Sequence, residues 1–315
     1  MLAFPLPDHH SAHIAAPHLR RDLDITDDEL AALLDLALDI KSSPRDYAHA
    51  LSGKYIGLLF EKASLRTRLT FELAIKQLGG DSVFSEGPIG AREPVKDIAR
   101  NLDRWVHAIV ARTFSQSTID ELAEWSAVPV INALSDLYHP CQILADVLTL
   151  KERFGELAGL KVAFCGDGNN VAHSLMLTCA RLGIDFAIAC PEGYEPNPEI
   201  VSQTAGLAAV SGATLLLTSD PAEAVDGAHA VYADVWTSMG QEKEASTRRQ
   251  AFAGYQVNDE MFSLARPDAV FMHCLPAHRG EEVTDSVIEH SRSVVFDQAE
   301  NRLHAQKALL LMMMA

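Results

Sequence analysis

Hydrophobic positions along the chain follow two alternating spacings. Short apolar runs, typical of buried strands, are each followed by a longer stretch in which apolar residues recur at helical spacing. Residues 55–60 (YIGLLF) form one such run, and residues 71–78 then carry a helical stripe that ends at Gly79. Further strand-like runs occur at 82–84, 105–111, 128–132, 160–165, 184–190, 213–217, 229–233, 269–273 and 293–296.

The order of these runs predicts the fold class. Alternating strands and helices favour parallel sheets that are covered by helices on both faces. The pattern runs in two series, with a long helix near 141–154 and a break at 155–159 between them. A capped amphipathic helix is predicted at 26–41, where Thr26 precedes acidic residues. We therefore predict an α/β protein with two doubly wound parallel-sheet domains joined by interdomain helices.

The helix after the first strand begins with the sequence SLRTR, starting at Ser64. Ser64 is a natural N-cap, so Arg66 and Arg68 fall in the first turn, where the helix dipole disfavours cations. Exposed N–H groups, hydroxyls and guanidinium groups together form a phosphate site, which would explain the arginines. The alternative is that both arginines lie on the surface and pair with Glu61 or Glu72.

Ligands of open parallel sheets bind at the carboxyl ends of the strands, so the other strand ends carry the next candidates. Arg112 ends the apolar run 105–111, and His139 and Gln142 surround Pro140 at the start of the long helix. Each of these residues alone would more often be a surface arginine or a structural histidine. Their common position at strand ends favours a shared site.

The second series has candidates at three strand ends. Residues 166–174 (GDGNNVAHS) match only the first half of a dinucleotide fingerprint, so a nucleotide-dependent oxidoreductase is a weak alternative. The amides of Asn169 and Asn170 suit a zwitterionic amino acid instead. Asp234 ends another strand, with Ser238 and Met239 in a glycine-containing loop behind it, and the last run leads to Cys274. A cysteine in that position is usually an inert core thiol.

Composition and charge narrow the functional classes. The net charge of −17 argues against nucleic acid or an anionic membrane as partner, so an anion site would be a local basic pocket. The five cysteines are scattered without C-x-x-C spacing, which indicates reduced thiols in a cytoplasmic protein rather than disulfides or structural zinc. The N-terminus lacks the pattern of a signal peptide, and no apolar stretch approaches the ~20 residues of a membrane span.

Seven segments, taken in order, resemble the aspartate/ornithine carbamoyltransferase family and, within it, the ornithine carbamoyltransferases. They span nearly the whole chain, which makes the set far more specific than any single motif. The segments are SLRTR (64–68), ARTF (111–114), HPCQ (139–142), GDGNNVAHS (166–174), DVWTSMGQE (234–242), HCLPAHRGEE (273–282) and FDQAENRLHAQKA (296–308).

The resemblance implies transfer of the carbamoyl group from carbamoyl phosphate to the δ-amine of L-ornithine, giving citrulline and phosphate. It assigns the reaction itself to Arg112, His139, Asp234 and Cys274. Ornithine would be bound by Asn170, Asp234, Ser238 and Met239. Carbamoyl phosphate would be bound by Ser64, Leu65, Arg66, Thr67, Arg112, His139, Gln142, Cys274, Leu275 and Arg302.

The same resemblance implies the organisation of the protein. Residues 1–140 would bind carbamoyl phosphate, residues 141–297 would bind ornithine, and a helix at 298–313 would pack back on the first domain. A cytoplasmic homotrimer, or a higher assembly, is expected, in either the biosynthetic or the catabolic direction. No metal or organic cofactor is expected, because the leaving group is already activated.

Two positions depart from the family pattern. Leu65 replaces a threonine, and the SLRTR form also occurs in acetylornithine relatives, so N-acetylornithine or another amino-acid amine stays an alternative acceptor. Pro88 stands where many members present glutamine or histidine to the neighbouring subunit, while Arg92 could still supply positive charge there.

Overall fold

The computed structural model describes residues 13–238 and 240–314. The chain divides into two compact units, each of which contains one parallel sheet. Unit 1 runs to Leu148 and takes up the chain again from Glu300, and unit 2 is Thr149–Ala299. Both boundaries fall inside helices. The helices are α1 (Asp27–Ser42), α2 (Leu65–Gln77), α3 (Val95–Leu102), α4 (Gln116–Trp125), α5 (Pro140–Phe154), α6 (Asn170–Arg181), α7 (Pro198–Ser211), α8 (Pro221–Val225), α9 (Ala245–Ala251), α10 (Asp259–Ser263), α11 (Asp285–Ile288) and α12 (Val295–Met314).

Unit 1 contains a four-stranded sheet in the order β2-β1-β3-β4, in which every pairing is parallel. Ala108 to Ala111 of the third strand are fully buried, as expected for a strand that is covered on both faces. The strands are β1 (Tyr55–Phe60), β2 (Asp81–Glu86), β3 (Ala108–Arg112) and β4 (Val130–Leu134).

Unit 2 contains a five-stranded parallel sheet in the order β7-β6-β5-β8-β9. Its core lies around the buried side chains of Phe262 and Phe271. The strands are β5 (Lys161–Cys165), β6 (Asp185–Ala189), β7 (Leu215–Thr218), β8 (Ala230–Ala233) and β9 (Val270–His273). The predicted fold class of two parallel-sheet α/β domains is therefore confirmed.

In each sheet the chain first adds strands on one side of its first strand and then on the other side. The candidate residues lie near this switch point. In unit 1 the chain passes from β1 to β2 on one side and then returns to β3 on the other side. In unit 2 the chain leaves β5 for β6 and β7, and then returns to β8 on the far side of β5. Loops that leave the two central strands at such a point diverge and leave a crevice, which is the usual ligand position in open α/β sheets.

Local sequence explains the start of the first helix. Thr26 Oγ1 accepts a hydrogen bond from the Glu29 N–H at 3.3 Å, and the Glu29 carboxylate accepts one from the Thr26 N–H at 2.8 Å. This reciprocal capping box satisfies two N–H groups that lack partners within the helix. The predicted helix at 26–41 is thereby confirmed to within a residue.

One predicted strand is wrong and three are shifted. Residues 293–296 form no strand: Ser293 makes a single bridge to Phe271, and Val295 already begins α12. A short apolar run cannot distinguish a strand from the first turn of a helix, and here Val295 is buried while Phe296 is 64% exposed. The strand predicted at 105–111 begins only at Ala108, that predicted at 128–132 lies at Val130–Leu134, and that predicted at 213–217 lies at Leu215–Thr218.

Among the described residues, no helix combines the length and the apolar character that crossing a membrane requires.

Candidate active site

The SLRTR segment begins α2 as predicted, with Ser64 as its N-cap. Ser64 Oγ accepts the N–H of Thr67 at 3.2 Å. The hydroxyl of Thr67, which is buried, accepts a 2.6 Å hydrogen bond from Arg302 Nη2 on α12. Arg302 is itself only 3% exposed. The C-terminal helix therefore brings a buried guanidinium to the N-terminal end of α2, where an anion is favoured.

Arg112 lies on the strand next to this loop. It pairs in register with Phe60, the last residue of β1, and its carbonyl oxygen accepts the Glu61 N–H at 2.8 Å. The Glu61 carboxylate accepts the N–H groups of Ile89 and Phe114, each at 2.8 Å. Glu61 thus binds the backbone of the loops that follow β2 and β3.

The two arginines of the helix start have different surroundings. Arg68 Nε lies 2.9 Å from Glu72 Oε1, and the Arg68 guanidinium lies 3.7 Å from the centroid of the Phe84 ring. The surface interpretation is therefore correct for Arg68. Arg66 is half-buried in the first turn, one residue before the buried Thr67.

His139 is buried immediately before α5, which begins at Pro140. Burial lowers the pKa of His139 well below its ordinary value, and the positive charges of Arg302 and Arg112 lower it further. The imidazole is therefore neutral near pH 7 and can donate one N–H while its other nitrogen accepts.

Gln142 has a fixed amide orientation. Its Nε2 donates to Asp146 Oδ1 at 2.8 Å, one turn further along α5, and both side chains are buried. An ionised carboxylate only accepts hydrogen bonds, so Asp146 selects the amide nitrogen. Gln142 Oε1 is buried and has no hydrogen-bond partner among the described residues. Gln142 therefore offers an acceptor to a ligand that carries N–H groups.

In unit 2, Asn169 connects the loop after β5 to the end of β8. Its side-chain oxygen caps α6 by accepting the N–H groups of Val171 at 2.9 Å and Ala172 at 3.1 Å. Its Nδ2 donates to Asp234 Oδ2 at 2.8 Å. Asn170, the predicted ornithine residue, is half-buried as the first residue of α6.

The glycines of the partial dinucleotide fingerprint have a structural explanation. A Cβ on Gly168 would lie 2.2 Å from the backbone nitrogen of Pro196, so this residue must be glycine for the two loops to pass each other. The first N–H groups of α6 are already capped by Asn169. The glycine at position 168 and the helix start that follows are therefore explained without a nucleotide.

Asp234 and Cys274 meet at the carboxyl ends of β8 and β9. Cys274 Sγ lies 2.9 Å from Asp234 Oδ1, which also accepts the Val235 N–H at 2.8 Å. The N–H of Leu275 donates to His273 Nδ1 at 2.8 Å, and Leu275 has a positive φ of 57°. A left-handed leucine is uncommon and marks a constrained segment of the kind found at functional sites.

A buried ion pair holds the loop that follows Asp234. Arg248 Nη1 donates to Asp167 Oδ2 at 2.8 Å and to the Trp236 carbonyl at 3.0 Å. Burial raises the pKa of the Asp167 carboxyl, although Arg248 opposes that shift. The N–H of Ser238 donates to Gln241 Oε1 at 3.1 Å. Met239, also predicted to bind ornithine, lies outside the described residues.

Three positioning interactions were missed by sequence reasoning. These are the contact of Asp146 with Gln142, that of Asn169 with Asp234, and the Asp167–Arg248 pair. Asn169 was a candidate for binding the amino acid, but its contact with Asp234 was not foreseen. Asp146 had a signal, since it is a single acid within the apolar stretch ILADVLTL and stands four residues after Gln142. The Asp167–Arg248 pair had none, because its members are 81 residues apart.

Comparisons with known proteins find two family domains in this chain. The family model described as the aspartate/ornithine carbamoyltransferase carbamoyl-P binding domain matches residues 18–152, and the one described as the Asp/Orn binding domain matches residues 158–313. The chain belongs to the aspartate/ornithine carbamoyltransferase family. The predicted resemblance is therefore confirmed over almost the whole chain.

Individual members of the family are similar along nearly their full length. An ornithine carbamoyltransferase of Gloeobacter violaceus is 49% identical over 311 residues, which is 96% of this chain and 99% of that protein. The structure of ornithine carbamoyltransferase from Pyrococcus furiosus has a TM-score of 0.92 at 46% identity, covering 95% of this chain and 97% of that chain. An acetylornithine transcarbamylase complexed with acetylcitrulline has a TM-score of 0.84 at 32% identity, covering 93% and 98%.

Proposed function

We propose that this protein transfers the carbamoyl group of carbamoyl phosphate to the δ-amine of L-ornithine, giving L-citrulline and phosphate. The observation that carries the proposal is that unit 1 contains both a cationic helix start and a side-chain amide whose orientation is fixed. The helix start carries Thr67 and the guanidinium of Arg302. The amide is that of Gln142, which Asp146 orients. Carbamoyl phosphate presents the matching groups, a phosphate dianion and a planar amide with two N–H donors.

The phosphate is assigned to the start of α2. The N–H groups of its first turn, among them that of Leu65, the hydroxyls of Ser64 and Thr67 and the guanidinium of Arg66 would surround the dianion. Arg302 and Arg112 add positive charge at the same end of the sheet. The phosphate leaves with the electrons of the C–O bond, so these cations stabilise charge that grows during the reaction.

The carbamoyl group is assigned to the start of α5. As the amine attacks, the carbonyl oxygen becomes an oxyanion, and Arg112 and the neutral His139 would each donate a hydrogen bond to it. A preorganised donor of this kind typically contributes about 3 kcal/mol to transition-state stabilisation. Gln142 Oε1 would accept from the carbamoyl NH2 group and so fix the plane of the amide.

The amino acid is assigned to unit 2. Asp234 would pair with the α-ammonium of ornithine, and Asn170, Ser238 and Met239 would complete its site. The δ-amine must lose its proton before it attacks, since its pKa in water is about 10.4, like that of lysine. Cys274, 2.9 Å from Asp234, is proposed to lie beside the reacting amine. The Leu275 N–H is engaged by His273, so its carbonyl is the backbone group offered to a substrate.

The alternative acceptor is N-acetylornithine. Acetylation would remove the α-ammonium charge that Asp234 is proposed to bind, leaving a buried carboxylate opposite a neutral amide. The retained Asp234 and the higher identity to proteins named ornithine carbamoyltransferase both support the free amino acid. No metal or organic cofactor enters this mechanism, because phosphate is already a good leaving group.

We also propose that the protein is a homotrimer in the cytoplasm. Leu65, Leu69 and Leu73 follow one another at four-residue spacing on α2 and are 71%, 44% and 45% exposed. Val83, on the edge strand β2, is 61% exposed. Such an apolar face on a single chain supports burial against a second copy. The exposed Pro88 and Arg92 follow β2, and Arg92 could add positive charge to a neighbouring subunit's site. Reduced cysteines support the cytoplasmic assignment.

The test offers purified protein carbamoyl phosphate with L-ornithine, N-acetyl-L-ornithine or L-aspartate in separate reactions, and measures the ureido product. Citrulline from ornithine alone is the expected result. Product from another amine alone would keep the phosphate assignment and overturn the role of Asp234. Absence of product from all three would overturn the proposed function. Sedimentation equilibrium tests the trimer independently of activity.

A further inference from the structure

Glu282 is a fully buried carboxylate in the segment between β9 and α11. Its Oε1 faces His273 Nε2 at 3.2 Å and accepts the N–H of His278 at 2.5 Å. The Glu282 carbonyl accepts the Val257 N–H at 2.9 Å. Glu282 therefore holds His273 and His278 through its carboxylate, and Val257 through its carbonyl.

The other carboxylate oxygen of Glu282 has a different environment. Glu282 Oε2 is buried and has no hydrogen-bond partner within residues 13–238 and 240–314. His278 Nδ1 lies 4.0 Å from this oxygen, which is too long for a hydrogen bond. A buried oxygen without a hydrogen-bond partner is unfavourable, and more so when the group is charged. This atom is therefore available to a ligand.

The separation of 4.0 Å between His278 Nδ1 and Glu282 Oε2 is close to that of two ligands of one metal ion. Bonds from Zn²⁺ to imidazole nitrogen and carboxylate oxygen are each about 2.0–2.2 Å, so two ligands of a four-coordinate ion lie about 3.4 Å apart, and the two atoms would have to approach by roughly half an ångström. A carboxylate oxygen of Glu281 completes a group of three ligand atoms, all within 4.8 Å of one another. Glu281 Oε1 already pairs with Arg249 Nε at 2.9 Å, which leaves the second oxygen of that carboxylate for a metal.

We propose that His278, Glu281 and Glu282 form a divalent transition-metal site of the zinc class. The ligand set is one imidazole and two carboxylates, a combination that such ions accept in four-coordinate sites with water as the fourth ligand. His278 and Glu281 are partly exposed, so they can move by the few tenths of an ångström that bonding requires and can admit water. The buried Glu282 supplies the fixed ligand.

A bound ion would brace the Cys274–Leu275 segment. Glu282 joins the ion to His273, and His273 Nδ1 in turn holds the Leu275 N–H. The expected consequence is a higher melting temperature of the protein in the presence of the metal. The site does not depend on the proposed transferase function.

A second group of potential ligands must be distinguished from this one. Asp234, His273 and Cys274 also offer atoms within 4.8 Å of one another. Both ring nitrogens of His273 are already engaged, however, by the Leu275 N–H and by Glu282. That group is thereby reduced to Asp234 and Cys274, which would bind the metal through sulfur.

The experiment titrates metal-stripped full-length protein with Zn²⁺ by calorimetry and with Co²⁺ by visible spectroscopy. His278→Ala and Glu281→Gln are the test variants, since both side chains are partly exposed and their loss should leave folding intact. Cys274→Ser is the control for the competing group. Circular dichroism and melting without metal verify that each variant is folded.

The expected result is one Zn²⁺ bound by the wild type and by Cys274→Ser with equal affinity, and binding at least tenfold weaker in His278→Ala and in Glu281→Gln. The Co²⁺ spectrum should lack a sulfur charge-transfer band. Zn²⁺ should raise the melting temperature of the wild type and of Cys274→Ser only. Unchanged binding in His278→Ala, loss of binding in Cys274→Ser, or no binding by the wild type would each overturn the proposal. If His278→Ala fails to fold, Glu281→Gln decides by the same criteria.

Discussion

Arg302 Nη2 donates a 2.6 Å hydrogen bond to Thr67 Oγ1, although the two residues stand 235 positions apart in the chain. Both side chains are buried, and the threonine lies in the first turn of α2 behind its N-cap Ser64. The bond fixes a cation at the end of a helix that already carries partial positive charge. Such a concentration of charge is favourable only opposite an anion.

Thr67→Val tests this contact by replacing the hydroxyl with a methyl group of similar volume. We expect kcat/KM for carbamoyl phosphate to fall roughly 10-fold or more, because Arg302 loses the acceptor that holds it. The free energy of unfolding should fall by about 1–3 kcal/mol for the same reason. Steady-state kinetics and urea denaturation measure the two effects. Wild-type affinity for carbamoyl phosphate would contradict the assignment of this contact to the phosphate site.

Arg66 and Arg68 provide a matched pair on one helix turn. Arg66→Gln should reduce kcat/KM for carbamoyl phosphate by at least about 100-fold, because it removes a charge proposed to contact the leaving phosphate. Arg68→Gln breaks the surface pair with Glu72 and should change stability by no more than about 1 kcal/mol, with kinetics unchanged. Equal effects of the two substitutions would count against the anion site.

The Gln142–Asp146 hydrogen bond predicts a role for amide orientation. Gln142→Leu should lower kcat/KM for carbamoyl phosphate by roughly 10- to 100-fold, because the carbamoyl N–H groups lose their acceptor. Asp146→Asn keeps the size of the side chain but no longer selects the amide nitrogen, so a smaller loss in the same parameter is expected. The kinetic constants for both substrates would be compared. A loss confined to ornithine would refute the assignment of Gln142.

Asn169 combines two tasks that two substitutions can separate. Asn169→Asp preserves the N-cap of α6 but replaces the donor to Asp234 with a second carboxylate. The KM for ornithine should therefore rise at least 10-fold with little loss of stability. Asn169→Ala should also lower the free energy of unfolding by about 1 kcal/mol.

Asp234→Ala is the reference for this comparison. It should raise the ornithine KM steeply while leaving the binding of carbamoyl phosphate intact. Equal losses for both substrates, measured by saturation kinetics and equilibrium binding, would refute the division of labour between the two units.

The buried histidines predict how stability depends on pH. In the folded chain the pKa values of His18, His139, His229 and His304 are all lowered, in each case mainly by burial. The unfolded chain binds protons at the ordinary pKa of about 6.5. Between about pH 7 and pH 5 the unfolded state therefore takes up protons that the folded state does not bind, and stability should fall as the pH falls.

Melting temperatures measured from about pH 5 to pH 7.5 check this prediction. His229→Gln, which removes one of the four groups, should reduce the slope of melting temperature against pH. A stability that is constant or that increases toward pH 5 would show that these histidines do not dominate the dependence.

Sequence alone determined the fold class, the positions of most elements and the chemical identity of the candidate residues. These features depend on local periodicity and on the residues at strand ends, and a short segment of the chain is enough to recognise either. Ser64 as the N-cap of α2 and the start of α5 at Pro140 belong to this group. The error at 293–296 arose where a short apolar run was compatible with either a strand or a helix.

Only the tertiary structure decided which groups hold one another. It placed Arg302 on Thr67, Asn169 on Asp234 and Arg248 on Asp167, and it assigned Arg68 to the surface. The order of strands put the loops after β1 and β3, and those after β5 and β8, at the switch point of each sheet. These relationships depend on contacts between distant segments and on burial, which sequence spacing does not encode.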